Sequence, residues 1–280
     1  MSALRMDIPV HGQIPPHIVL TDLPAAIDDG QLVLHYLPTI SLIDDDVISM
    51  EALVRWEHPL YGLVPPSAFL PLVEESELGW KITHWVLTRA MEQCAEWLAA
   101  GLSLAVTVNV SSYDVTVAPI IDTVQDLLAR TSLLGRHLTL EISEQAVMDE
   151  LVRGSAALVI LRGNGVRISI DDCGSGKVAP LYLARMPVDE IKIDNRLLME
   201  TDPSDIELVR DIVRLGHEFG IKLTAEAVEG DDRAGGMERL GVDNMQGFHV
   251  APPLLAGNVP SWVSNHRART NNERNVLWTG

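Results

Sequence analysis

Of the 280 residues, 47% are hydrophobic and 21% charged, and 39 acidic against 21 basic side chains leave a formal net charge of −18. This is the profile of a soluble globular protein with a sizeable core; its sign excludes nonspecific binding to nucleic acid polymers and anionic membranes, so a phosphodiester ligand would need bound divalent cations to reverse the local field. Two cysteines without metal-type spacing, Cys94 and Cys173, exclude a disulfide framework, and no signal-peptide pattern or apolar run of ~20 residues is present, so the chain reads as cytoplasmic.

Residues 1–20, with Pro9, Pro15 and Pro16, are weakly patterned and read as an N-terminal extension. Strand patterns follow at Leu32–Tyr36, Val47–Trp56, Leu104–Val110, Leu138–Ile142, Val166–Asp171, Glu190–Ile193, Lys222–Ala227 and Asp243–Gln246. Helical patterns fall at Trp80–Ala100, Ile120–Thr131, Leu151–Gly163, Ile206–Phe219 and Ala234–Leu240. Runs such as LAVTVNV and VRISI are nearly all apolar, as in strands covered on both faces. Strands alternating with amphipathic helices predict parallel βαβ units. The first pair departs from this, because only about ten residues, including Asp44–Asp46, separate Tyr36 from Val47. A parallel crossover needs a dozen or more residues, so the first strand is expected to run antiparallel. The fold class is therefore α/β, a (β/α)8 TIM-like barrel with its first strand reversed, expected over residues 21–263; single α/β barrels occupy roughly 200–250 residues. Residues 264–280 are polar with scattered arginines and read as a flexible tail.

The informative residues are polar groups inside apolar strands: Glu51, Asn109, Glu141, Asp171 with Asp172, Lys192, Glu226 and Gln246. Each falls at or near the C-terminal end of a successive strand, the rim that forms the active-site face of a barrel. A single strand-end Asp is as often a helix N-cap, and Lys192 alone has a reading as a structural ion pair. Five carboxylates on consecutive strands need a shared counter-charge, since burying one unpaired costs several kcal/mol. Oxygen ligands without His or Cys suit Mg2+ or Mn2+, and the number of groups fits a pair of ions sharing a bridging Asp.

Glu51-Ala52-Leu53-Val54-Arg55-Trp56 followed by His58-Pro59 resembles the signature of the EAL family of cyclic di-GMP phosphodiesterases. The resemblance continues in order through Asn109-Val110-Ser111, Glu141-Ile142-Ser143-Glu144, Asp171-Asp172 with Gly174 and Gly176, Pro187-Val188-Asp189 leading to Lys192-Ile193-Asp194, Ala225-Glu226 with Val228-Glu229, and Gln246-Gly247-Phe248, over roughly residues 20–255. It implies two-metal hydrolysis of cyclic di-GMP to linear pGpG. Glu51, Asn109, Glu141 and Asp171 resemble the ligands of one ion, and Asp171, Asp172 and Glu226 those of the second. Lys192 is similar to the lysine that orients the attacking water, with Gln246 beside it, so Lys192, Glu226, Gln246 and Glu51 form the implied catalytic set. Arg55 matches an arginine that grips a substrate phosphate; Leu53, Glu229 and Asp194 match substrate-lining positions, and Glu144 a loop anchor. The resemblance also implies a homodimer, with Pro180–Met186 as the apolar stretch available for it.

Three places depart from the family pattern. Leu37 stands where a glutamine faces the nucleotide, and Asp114 where a pocket glutamine often follows the Asn-bearing strand. Cys173-Gly174-Ser175-Gly176-Lys177-Val178-Ala179 replaces a loop that usually reads Phe-Gly-Thr-Gly-Tyr-Ser-Ser. Reduced hydrolysis is expected from the altered loop. A non-catalytic cyclic di-GMP receptor, a protein-binding domain that has lost the nucleotide, and an enolase-like lyase barrel stand as alternatives at this point; the last would need further acid/base residues on later strands, where Lys192 is the only candidate lysine in a strand-end block.

Overall fold

The computed structural model describes residues 14–149, 154–173, 187–193, 197, 203–226, 228, 236–237 and 239–278. Eight strands close into a barrel: β1 (Leu32–Ser41), β2 (Val47–His58), β4 (Ala105–Asn109), β5 (Leu138–Ser143), β6 (Arg167–Cys173), β7 (Glu190–Ile193), β8 (Lys222–Ala225) and β9 (Asn244–Gln246). From β2 through β4 to β9 every neighbouring pair is parallel. β1 closes the ring antiparallel to both β2 and β9. The helix-free connection 42–46 explains this reversal. Ser41 Oγ accepts from the Ile43 and Asp44 amides, and Asp45 takes φ +46°, a left-handed conformation that Asp tolerates better than most residues. Two short strands, β3 (Gly62–Val64) and β10 (Leu254–Leu255), pair outside the ring with β2 and β1.

The register carries one face around the barrel. Glu51 lies beside Thr107, Thr107 beside Thr139, and Thr139 beside Arg167; Asn109 lies beside Glu141, Glu141 beside Ser169, and Ser169 beside Glu190. These positions share the interior, since cross-strand partners lie on the same side of a sheet. The alternate positions Val106, Val108, Leu140, Ile168, Ile170, Ile191 and Leu223 are all buried and belong to the core under the surrounding helices. The nearly apolar runs of the sequence therefore conceal an alternation in which small polar residues fill the inside. The outer layer includes α2 (Glu77–Ala99), α4 (Ile120–Thr131), α6 (Gly154–Gly163) and α7 (Pro203–Phe219), with short α3 (Ser112–Thr116) and α5 (Glu144–Asp149) leaving the tops of β4 and β5. Ser76 starts α2 by accepting from the Gly79 amide.

Both ends of the chain differ from expectation. Pro16–Asp28 forms helix α1, which buries Val19, Leu23 and Ala26 completely; Pro15-Pro16 is its start signal, with Pro at the first helical position, rather than a mark of irregular chain. Val259–Trp278 forms helix α8, which enters the stretch expected to be a flexible tail. Its docking point is the acidic β1–β2 turn: His266 Nε2 lies 3.0 Å from the Asp45 carbonyl, Thr270 Oγ1 donates to Asp45 Oδ2 at 2.7 Å, and Arg267 Nε donates to Asp46 Oδ1 at 2.7 Å. The polar composition that suggested a frayed tail is the complement of that turn.

Candidate active site

Lys192 is 2% exposed on β7, and its ammonium touches three carboxylates from distant strands. Nζ lies 2.7 Å from Glu141 Oε1 on β5, 3.0 Å from Glu226 Oε1 just beyond β8, and 3.1 Å from Glu51 Oε2 on β2. Glu51 is held from two further strands, accepting from Asn109 Nδ2 on Oε1 and from Gln246 Nε2 on Oε2, both at 2.9 Å. Gly247, at φ +141°, turns the chain away immediately after Gln246. The two aspartates arise from an irregularity in β6. The β6–β7 ladder slips between Ile170 and Cys173, Asp172 sits at φ +54°, and its amide donates to Asp171 Oδ1 at 2.8 Å. Such a slip redirects side chains at a strand end. Carboxylate oxygens of Glu51, Glu141 and Glu226 lie within 4.8 Å of one another, and so do those of Asp171, Asp172 and Glu226. Glu226 is common to both groups.

One buried ammonium does not balance this many acids. Burial pushes Glu141 well above the usual carboxylate range; Lys192 opposes the shift, and Glu51, Asp171 and Glu226 add to it. Glu226 is pushed up to about 8, by burial first, with Asp171 and Glu51 adding and Lys192 opposing. Burial also acts upward on Asp171, but Lys192 and a hydrogen bond from Glu226 hold it below its ordinary value. Burial would lower the pKa of Lys192; Glu141, Glu226, Glu51 and Asp171 together raise it well above that of a free lysine. At neutral pH Glu226 thus keeps a proton that it would lose in water, and Glu141 is shifted in the same direction. Glu141 Oε2 and Gln246 Oε1 are buried with no hydrogen-bond partner among the described residues. Retained protons and unpartnered oxygens are both what a cation bound by hard oxygen ligands would replace, so the residues fit one.

A cavity of about 600 Å³ lies against this rim, lined by Leu53, Asn109, Glu141, Asp171 and Asp172 together with Glu74 and Glu75. That volume falls in the range of sites for small ligands. Glu51, Leu53 and Arg55 share one face of β2, and Arg55 is half-buried with Nη1 donating to the Val54 carbonyl at 2.9 Å. Sequence reasoning missed Glu74 and Glu75, where burial and then the neighbouring Glu75 raise the Glu74 pKa, and Ser112 donates to Glu75. Nothing in the local pattern separates this pair from an ordinary surface loop. Leu37 pairs with Glu51 across β1–β2, and its carbonyl lies 3.5 Å from Gln246 Nε2. Asp114 plays a capping role: it and Ser111 form a reciprocal capping box on α3, and it also accepts from Thr83 on α2. Glu144 is 3% exposed at the start of α5, close enough to Cys173 that, after burial, its charge helps push that thiol up to about 12. Glu229, Asp194 and the segment 174–186, which includes Pro180–Met186, lie outside the described residues.

An acid-rimmed TIM-like barrel with one buried lysine at the centre of its carboxylates defines a cation-dependent class of site. Residues 20–253 match the EAL domain family, and the chain belongs to it. Among its relatives, the bifunctional diguanylate cyclase/cyclic di-GMP phosphodiesterase MucR of Pseudomonas aeruginosa is 39% identical over 241 residues, covering 85% of this chain and 35% of that protein. The cyclic di-GMP phosphodiesterase NbdA of the same organism is 34% identical over 249 residues, covering 88% of this chain and 32% of its own length. The chain thus spans about a third of these relatives. A solved structure of the PaMucR phosphodiesterase in complex with c-di-GMP superimposes with a TM-score of 0.81 at 39% identity, covering 86% of this chain and 99% of that one.

Proposed function

We propose that this chain hydrolyses one phosphodiester bond of cyclic di-GMP to give linear pGpG. The observation that carries the reading is the charge of the rim. Once ionised, five carboxylates against one ammonium leave four negative charges, which two divalent cations would neutralise. Glu51, Asn109, Glu141 and Asp171 would hold one ion, and Asp171, Asp172 and Glu226 the other, with Mg2+ or Mn2+ suited to such oxygen ligands. Bound there, the ions supply positive charge for a phosphodiester in an otherwise repulsive site and acidify water for attack at phosphorus. Lys192 orients the attacking water, and Gln246 and Asn109 fix the Glu51 carboxylate from either side. Arg55 is the bidentate donor for a substrate phosphate; Leu53, Glu229 and Asp194 line the nucleotide, and Glu144 anchors the loop after Asp172. The names of MucR and NbdA and the ligand of the PaMucR structure support the same reaction and substrate.

The chain acts in the cytoplasm as a homodimer, without affinity for nucleic acid polymers or membranes. The net charge of −18 supports the last point, and among the described residues no helix is long and apolar enough to cross a membrane. The test is to incubate purified protein with cyclic di-GMP and Mn2+ or Mg2+ and to resolve the products. Linear pGpG appearing with either ion and vanishing in Lys192→Met meets the expectation. Tight binding without pGpG under both ions would replace hydrolysis by a receptor role, and sedimentation showing only monomer at high micromolar concentration would remove the dimer.

A further inference from the structure

The opposite, N-terminal mouth of the barrel holds a second cavity, of about 720 Å³. Its floor includes Ser49, Thr139, Glu190 and Asn244, which lie two residues before Glu51, Glu141, Lys192 and Gln246 on the same strands. Two residues of strand advance about 7 Å, so this floor is the underside of the acidic rim, reached from the other end. It is set for hydrogen bonding: Glu190 Oε1 accepts from Thr224 and, at 3.4 Å, from Asn244 Nδ2.

Several charged groups of the mouth are already paired, and Asp44 and Glu190 also line it. Asp46 is paired with Arg267 at 2.7 Å, Asp243 with Lys222 at 2.6 Å, and Asp189 with Arg162 at 2.9 Å. Asp243 and Asp189 accept backbone amides as well, from Leu223 and Ile168. Arg136 and Arg167 have no acidic partner within ion-pair distance among the described residues, although both line the cavity. Arg167 projects from the start of β6 beside Thr139, while Arg136 stands at the foot of β5. Both line the cavity beside His137 and Thr139, and after burial both guanidinium groups hold the His137 imidazole below its ordinary pKa. Two free guanidiniums suit a doubly charged oxyanion, and guanidinium is the side chain best shaped for bidentate contact with one. The floor beneath offers a carboxylate, an amide and hydroxyls, the partners that sugar hydroxyls take.

We propose that the N-terminal mouth is a second ligand site for a small phosphorylated polyol such as a sugar phosphate, with its phosphoryl group on Arg136 and Arg167 and its hydroxyls on Glu190, Asn244 and Thr139. The site is separate from the acidic rim and independent of what that rim hydrolyses.

Ribose 5-phosphate, inorganic phosphate and ribose are titrated into EDTA-treated protein, with binding read by calorimetry. Ribose 5-phosphate should bind, ribose alone should not, and inorganic phosphate should bind at least tenfold more weakly than the ester because it misses the floor. The double variant Arg136→Gln/Arg167→Gln, whose side chains are exposed and have no acidic partner among the described residues, should lose at least tenfold in affinity, as should Asn244→Ala. Arg55→Gln, at the other end of the barrel, should bind as the parent does. No heat at millimolar ribose 5-phosphate would overturn the proposal, as would loss of binding in Arg55→Gln with retention in the double arginine variant. Equal affinity for phosphate and ester would overturn the sugar assignment.

Discussion

Lys192→Met is the most informative single change, because among the described residues it removes the only cation from a cluster that holds three carboxylates within 3.1 Å of it. Methionine keeps the length and apolar stem of lysine, so lost packing is small and the effect isolates the charge. Removing one partner of a buried ion pair costs about 3–5 kcal/mol, since the group left behind stays desolvated. For a chain of this size each kcal/mol moves Tm by about 2–4 °C, so metal-free variant should melt roughly 6–20 °C below the parent near pH 8. The sign of the pH dependence follows from the glutamates. Glu226 already sits at about 8 and Glu141 well above its ordinary value, so the folded state binds more protons than the unfolded chain. A carboxylate raised on folding favours the native state below its unfolded pKa of about 4.3, and that contribution is lost as pH rises through the folded value. Without Lys192 these values rise further, so the deficit of the variant should shrink near pH 5. Millimolar Mn2+ should restore part of it at pH 8. Scanning fluorimetry at both pH values, with EDTA or Mn2+, reads all four conditions. A variant melting within about 2 °C of the parent at pH 8 in EDTA, or a deficit that persists unchanged at pH 5, would refute the account of the cluster as acids held by one ammonium.

Three further outcomes follow from the same chemistry. Mn2+ binding should release protons and tighten as pH rises to about 8, because Glu226 must ionise to serve as a ligand; equal calorimetric heats in buffers of different ionisation enthalpy would contradict this. Glu51→Ala should abolish pGpG formation yet lower Tm less than Lys192→Met does, because it also removes one negative charge from a crowded cluster; an unfolded variant would make Glu51 a structural residue. Cys94 and Cys173, both buried with thiols pushed up to about 11 and about 12, should resist a disulfide reagent at neutral pH until the protein is denatured, and rapid native labelling of either would place it at the surface.

The barrel was legible because its evidence is local. Most strands carry their own apolar run, and the ten-residue gap before Val47 was enough to reverse β1. The chain ends were not legible for a physical reason. Helix α1 buries only Val19, Leu23 and Ala26 along one stripe, and a stripe that narrow between prolines leaves a weak periodic signal. Helix α8 is held by polar contacts to Asp45 and Asp46, a partner more than 200 positions away in the chain, so no window around residue 266 contains the reason for its order. Polar composition marks a tail as soluble; it says nothing of a complementary surface formed by another part of the fold.

At the site, the residue types were legible and the pairings were not. Glu51, Glu141, Lys192 and Glu226 each interrupt an apolar pattern, and burial is costly enough that such an interruption needs a cause. Which of them touch is fixed by the register around the ring, and Lys192 meets Glu51 across 141 positions of sequence. The runs were read only as nearly apolar strands covered on both faces, and the inward placement of Thr107, Thr139, Ser169 and Thr224, all buried, was not read from them. Their inward placement helps the acidic rim exist at all. An aliphatic interior would give Glu141 and Glu226 a still drier setting and push them further toward the neutral form. A lining of hydroxyls, with Glu190 and Asn244 one layer below, keeps a polar column running from the acidic rim toward the arginines of the opposite mouth. The same alternation therefore moderates the desolvation of the carboxylates at one end and furnishes the floor of the cavity at the other.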